Sequence, residues 1–215
     1  MAETRWTFGV EPLPESLEFA SLTRTVTGLV LSLEARHESL DRLVAALRSA
    51  EAELRRLVPA NPAPRVGANA TAAEGRVYVD HARDIGAFNP CFPLYEIRVD
   101  GDRASGTVAF PIAYEGPPGI VHGGFLAVFF DSVIQHHNCE VGMAGKTTAL
   151  TVNYRRPTPL LTELQFEVER SVAERRITST ARLIAGGVVL CDAQMHAVAG
   201  NLAQLPPVSP RRVGA

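Results

Sequence analysis

The stretch GIVHGGFLAVFFDSV, Gly119–Val133, decides how the rest of the chain reads. A His-Gly-Gly triplet, His122 to Gly124, opens an apolar run, and Asp131 interrupts that run beside Phe129, Phe130 and Val133. From Gly123 to about Asn138 the pattern predicts a helix with apolar residues on every side, and so one buried over most of its surface. An unpaired carboxylate is strongly disfavoured there, so Asp131 must be paired, hydrogen-bonded or facing a polar cavity. Two glycines at a helix entrance permit close approach by a ligand. The first helical N–H groups have no partner within the helix and carry the positive end of its dipole. A carbonyl oxygen turning into an oxyanion would find a donor there, and the Gly123 amide is the candidate. Such a donor is typically worth about 2.7–4 kcal/mol in the transition state. The plainer reading is that Gly123 and Gly124 only let the helix pack tightly under a sheet.

Asp131 lies nine residues after His122. That is about 900° of helical rotation, which turns the two side chains to opposite sides of the helix and about 13 Å apart along its axis. One helix therefore cannot bring both to one substrate, and if they cooperate they come from different subunits. The alternative is an Asp satisfied by Ser132 or by backbone, without catalysis.

Outward from the helix the hydrophobic period is two. TVAFPIAY places Val108, Phe110, Ile112 and Tyr114 on one face; TELQFEVERSV places Leu164, Phe166, Val168 and Val172 inward; VVLCDAQMHAVA places Val189, Cys191, Ala193, Met195 and Ala197 inward. TTALTVNYRRP and RITSTARLIA read as further strands, and turn signals (VDGDR, VAERR, AGG) separate the runs. Connections this short join antiparallel neighbours. One buried helix against several antiparallel strands is an α+β arrangement.

Before this block the chain has a different character. Pro14 to Val58 contains no internal proline, and Val26, Val30, Leu33, His37, Leu40, Val44, Leu47, Leu54 and Val58 recur in steps of three and four, with Glu51 as the gap. That is a heptad-like helical seam. One unbroken helix would be about 65 Å long, so it either bends into a hairpin near ARHES or packs as an arm against a partner. Pro59 to Gly75 is rich in Pro, Ala, Asn and Gly and reads as a linker. The expected organisation is a helical extension over 1–58, a linker over 59–75, a folded domain over 76–201 and a flexible tail over 202–215.

Of the 215 residues, 46% are hydrophobic and 20% charged, with a net charge of −2. That balance fits a globular chain and gives no electrostatic argument for nucleic acid or an anionic membrane. Cys91, Cys139 and Cys191 are far apart, which argues against a disulfide scaffold or zinc site and suits a reducing compartment. The first residues lack a signal pattern and no stretch is long enough for a bilayer span, so the expectation is cytoplasmic.

The run GIVHGGFLAVFFDSV resembles the central-helix signature of the hotdog-fold acyl-CoA thioesterases, most of all the branch related to phenylacetate-pathway and 4-hydroxybenzoyl-CoA enzymes. His-Gly-Gly at the helix entrance with an acidic residue nine positions later matches His122 and Asp131, and a Ser or Thr seven residues before an aromatic near the next strand's end matches Thr147 before Tyr154. The resemblance covers roughly 85–201 and leaves out the helical extension. It implies an antiparallel sheet wrapped around the helix, a homodimer or dimer of dimers, and sites shared between subunits. It further implies acyl-CoA hydrolysis, with CoA as part of the substrate and no separate cofactor. Asp131 would act as general base on water or as nucleophile. Thr147, with Thr148 as the neighbouring candidate, would position water or carboxylate, and His122 would orient the carbonyl. Gly124, Phe125 and Phe129, with Phe88, would meet the substrate. Arg155 and Arg156, and the second basic turn Arg175–Arg176, would reach CoA phosphates.

One position departs from the pattern. Some members carry Asn six residues before the His, where this chain has Gly116. The lost donor makes a non-catalytic acyl-CoA or lipid-ligand binding module the rival reading. The tract QHHN, Gln135–Asn138, is no metal site by spacing, because adjacent histidines on a helix diverge by about 100°. FNPCFP has Phe92 where a hydratase of this fold would need a His.

Overall fold

The structure is a computed structural model of the chain, and it describes residues 11–65, 75–79, 84–142 and 145–199. The expected tail over 202–215 and most of the linker lie outside them.

The N-terminal region forms two helices, α1 (Pro14–Leu31) and α2 (Glu38–Leu57). The seam expected to run from Val26 to Val58 is therefore broken at residues 32–37. No proline causes the break. The Ser32 hydroxyl bonds back to the Gly28 carbonyl at 2.8 Å, and His37, extended in backbone, accepts the Ser39 N–H on Nδ1 at 3.2 Å. Small polar and ring acceptors of this kind close one helix and start the next. His37 is thus the N-cap of α2, not a seam residue. Of the two helices, α1 docks on the folded domain. Its Ala20 is fully buried, Gly28 brings the helix close to Ile112, and Arg24 donates to the Asn89 carbonyl at 3.3 Å. By contrast, α2 buries no residue.

From the expected linker, β1 (Pro64–Arg65) pairs in parallel with β2 (Arg76–Val77) just beyond it, and a single helical turn, α3 (Ile85–Phe88), follows. The domain proper comprises β3 (Tyr95–Asp100), β4 (Arg103–Ala109), the helix α4 (Gly123–Glu140), β5 (Gly145–Tyr154), β6 (Glu163–Ala173), β7 (Arg176–Ala185) and β8 (Val188–Ala199). The six strands form one sheet in the order β3-β4-β6-β7-β8-β5, antiparallel throughout. Chain order and spatial order differ at one point: β5, next after the helix, takes the far edge beside β8.

Period-two patterning sets which face α4 covers. Leu164, Phe166 and Val168 of β6, Ala181 and Leu183 of β7, and Cys191, Ala193 and Met195 of β8 turn to the helix and are buried with its Leu126, Phe129, Phe130, Val133 and Ile134. Phe129 is fully buried, and its ring meets those of Phe130, Phe166, Phe110 and Tyr95 at 5.3 to 6.1 Å. Gly106 makes room for this cluster, because a Cβ there would lie 2.6 Å from Phe166. Two details of the strand pattern fail. The strand β4 stops at Ala109, because Pro111 has no N–H for the ladder, and Ile112–Tyr114 form a 3-10 turn that still buries Tyr114. Val172, expected inward, is exposed near the end of β6, where it pairs with Ile177 of β7. Among the described residues, no helix is long and apolar enough to cross a membrane.

Candidate active site

The helix α4 starts where the sequence places it. His122 is its N-cap, and its Nδ1 accepts the Gly124 N–H at 3.0 Å, so this ring is fixed by the helix it opens. Gly124 is therefore engaged, while no hydrogen bond among the described residues uses the N–H of Gly123. Gly123 lies under Tyr154, the last residue of β5. The Tyr154 hydroxyl donates to the Gly123 carbonyl at 2.9 Å, and a Cβ on Gly123 would stand 3.1 Å from the ring. Close packing against Tyr154 is thus served by Gly123, and its N–H stays uncommitted among the described residues.

Gly116 stands against the same turn. A Cβ there would come within 2.9 Å of the His122 Cα, so the backbone of the HGG turn occupies the space an Asn side chain would need. Glu115, to which sequence reading assigned nothing, accepts the Gly119 N–H on Oε1 at 2.7 Å and closes the loop that leads into the helix. Phe125 stacks edge-on against Tyr114, with ring centres 4.7 Å apart.

At mid-helix, Asp131 is half-buried and its Oδ1 accepts the Thr147 hydroxyl at 3.0 Å. Gln135, one turn further, donates from Nε2 to Thr147 Oγ1 at 2.8 Å and to the Gly145 carbonyl at 3.0 Å. A chain of polar contacts thus runs Gln135, Thr147, Asp131 along the seam between α4 and the edge strand β5. Simple alternation places Thr147 on the face opposite Leu150, Val152 and Tyr154. It is instead on the helix side with them. The register of β5 against β8 shifts between Thr147 and Ala149, a bulge that inserts Thr148 and reverses the alternation of everything before it. Thr148, the off-by-one candidate, bonds the His196 carbonyl at 3.0 Å and takes no part. Ser132, offered as a partner for Asp131, donates instead to the Val128 carbonyl at 2.7 Å.

The other candidates divide. Arg155 and Arg156 reach the helix entrance, where they line a hollow of about 350 Å³ with Gly123, Tyr154, Ile120 and Val121. Arg155 is already engaged, because its Nε pairs with Asp192, whose other oxygen accepts from Asn153 at 2.9 Å. That guanidinium, with help from Asn153, holds the Asp192 carboxyl below the usual carboxylate range against the opposing effect of burial. No side-chain bond of Arg156 competes for its charge among the described residues. Arg175 bonds the Ala199 carbonyl at 3.0 Å and closes a turn. Phe129, expected to meet substrate, is sealed in the core of its own protomer. A larger hollow, about 1030 Å³, lies across the outer face of the sheet, but the ion pairs Arg103–Glu169, Arg182–Glu167 and Arg155–Asp192 span it and Asp131 is not in it.

The QHHN tract splits as the helical geometry demands. His136 Nδ1 lies 3.0 Å from the Tyr95 hydroxyl. His137, fully buried, donates from Nε2 to the Gly101 carbonyl at 2.8 Å, and burial lowers its basicity. Sequence reading missed Gln135 because it stands next to these histidines. Its signal was position: four residues after Asp131, it shares that residue's face.

No family model matches the chain. Among solved structures, a thioesterase superfamily protein is 29% identical, with a TM-score of 0.68 over 89% of this chain and 96% of that one. The chain has the hotdog fold of the thioesterase superfamily. Residues 76–201 are less than two thirds of the chain, so a match of that extent takes in much of the helical extension, which the sequence resemblance had left out. Lower likeness extends to a hypothetical thioesterase protein from Streptococcus pneumoniae TIGR4 with coenzyme A, 19% identical with a TM-score of 0.48 over 51% of this chain and 88% of that one. A phenylacetic acid degradation-related thioesterase from Ralstonia eutropha JMP134 is 20% identical, with a TM-score of 0.43 over 48% and 83%.

Proposed function

We propose that the chain is a thioester hydrolase acting on acyl-CoA, at a site made by two protomers. The observation that carries the reading is the carboxylate of Asp131. It is held at one oxygen by Thr147 and half-open to the outside, at the seam beside the unpaired edge of β5. The name and 29% identity of the similar thioesterase superfamily protein support the reaction class, and the coenzyme A in a second relative supports the leaving group.

Each group has one task in this account. Asp131, about 13 Å along the axis from the HGG turn of its own helix, serves the turn of the partner. It takes a proton from water as that water attacks the thioester carbonyl, or attacks the carbonyl itself and is released by water. Either route breaks the C–S bond, and the thiolate of CoA leaves and is protonated. The uncommitted Gly123 N–H at the helix terminus receives the oxyanion. Thr147, positioned by Gln135, fixes which Asp131 oxygen faces the reaction. Arg156, beside the helix entrance, meets the CoA phosphates.

The test is release of free thiol from purified protein across short, long and aromatic acyl-CoAs, with Asp131→Asn beside the wild type. Turnover that the variant loses, with acyl-CoA binding retained, is the expected result. Binding of acyl-CoA without thiol release by the wild type would replace this reading with a non-catalytic ligand-binding module.

A further inference from the structure

The helix α2 is amphipathic, and among the described residues most of its apolar side is uncovered. Leu40, Val44, Leu47, Leu54 and Val58 follow the three-four spacing of a seam. Val44, Leu47, Leu54 and Val58 are 39–62% exposed, and no other helix or strand among the described residues packs extensively against α2. A 20-residue helix draws most of its stability from packing one face, and alone in water it is marginal. The seam is interrupted by Glu51, and the charges beside it decide what covers it.

We propose that α2 pairs antiparallel with α2 of a second copy of this chain. In that register Leu40 faces Val58 of the other copy, Val44 faces Leu54, and Leu47 lies opposite Glu51. The polar flank then brings Asp41 next to Arg55 and Arg48 next to Glu51 of the other copy, while the opposite flank, Leu43, Ala50 and Leu57, is apolar and meets itself around the two-fold axis. Asp41 and Arg55 pair at both ends of the contact, and the two Arg48 side chains that meet at the two-fold axis are each offset by a Glu51 of the other copy. A parallel pairing fails on the same residues, because it sets Glu51 against Glu51 inside the seam, where like charges repel and are poorly solvated. It also offers Asp41 and Arg55 no partner on the flank. The ion pairs these groups make within one chain, Arg55 with Glu51 and Arg36 with Asp41, are exposed and are readily exchanged. The extended arm thus has a self-complementary occupant, and this contact adds to whatever joins the folded domains.

Single cysteines in the full-length chain test the geometry. Cys91 is the one exposed native cysteine and is replaced by Ser; Cys139 and Cys191 are buried. In this background Ala50→Cys sits at the two-fold axis, whereas Ser49→Cys points away from the contact. Under mild oxidation Ala50→Cys should form covalent dimers at least about tenfold faster than Ser49→Cys. Leu40→Cys should cross-link to Val58→Cys in a mixture but not to itself. Leu47→Glu should lower the assembly mass by light scattering. Equal rates at positions 49 and 50, or no cross-link at 50, overturns the proposal. Self-linkage of Leu40→Cys shows a parallel pair and overturns it as well. None of these readouts depends on thioesterase activity.

Discussion

The Thr147 hydroxyl donates to the Asp131 carboxylate across 3.0 Å, from the edge strand to the middle of the central helix, and it can do so only because a bulge at Thr148 turns Thr147 to the helix side. The bond leaves Asp131 with one oxygen committed and the other available, and Gln135 ties Thr147 down from behind.

Thr147→Val removes the donor while keeping shape. A hydrogen bond to a charged group is worth about 1.5–3 kcal/mol, so kcat for thiol release should fall by about ten- to a hundredfold with KM little changed, and Thr147→Ser should restore most of it. Gln135→Leu should give a smaller loss in kcat, because it frees Thr147 without removing it. Steady-state kinetics on the three variants checks both.

Gly116→Asn restores the side chain that some similar enzymes carry, yet it should lower stability here. The new Cβ meets the HGG turn at 2.9 Å, and overpacking of this kind costs about 1–3 kcal/mol. A thermal melt should show a drop of several degrees, with no gain in turnover.

Arg156→Ala should raise KM for acyl-CoA and leave turnover of the matching pantetheine thioester, which lacks the nucleotide phosphates, unchanged. Raising salt should shrink the difference, since an exposed charge is screened. Parallel kinetics on the two substrates reads this directly.

His137 predicts the acid side of the stability profile. It is buried neutral, and desolvation lowers its affinity for a proton below that in the unfolded chain. Below about pH 6.5 the unfolded chain takes up a proton at this site that the folded chain does not. Stability is therefore lost as pH falls through that value. Asp84, whose carboxyl is raised by burial, acts with the opposite sign, favouring the fold as it protonates at lower pH. Melting temperature should fall between pH 7.5 and 5.5, and less in His137→Gln, which keeps a donor for the Gly101 carbonyl.

The central helix and most strand faces were legible because burial imposes a period. Leu164, Phe166 and Val168 alternate since a sheet covered on one face must. Three features were not legible, each for a local reason. The bulge at Thr148 uses no glycine, so nothing in TTAL announces it. The break after Leu31 falls beside ARHES, where length alone called for a bend, but its means, a serine bonding backward and a histidine cap, interrupt no heptad count. Phe129 has the same sequence signal whether it lines a tunnel or fills the core; only the four rings around it decide. At the candidate site, Gly123 and Asp131 were readable from the helix pattern itself, and His122 and Thr147 from the resemblance to the thioesterase signature, whereas the contacts of Gln135 and Glu115 need the fold to exist.

The central claim, a site built from Asp131 of one protomer and the Gly123 turn of the other, is tested most directly by mixing two inactive chains. Asp131→Asn and Gly123→Val, carrying different tags, are co-expressed and the mixed dimer is purified. If the site is shared, one of the two sites in that dimer has both defects and the other has none, so thiol release should return to about half the wild-type rate. If the mixed dimer is no more active than its parents, Asp131 and Gly123 do not act on one substrate across the interface, and the account fails.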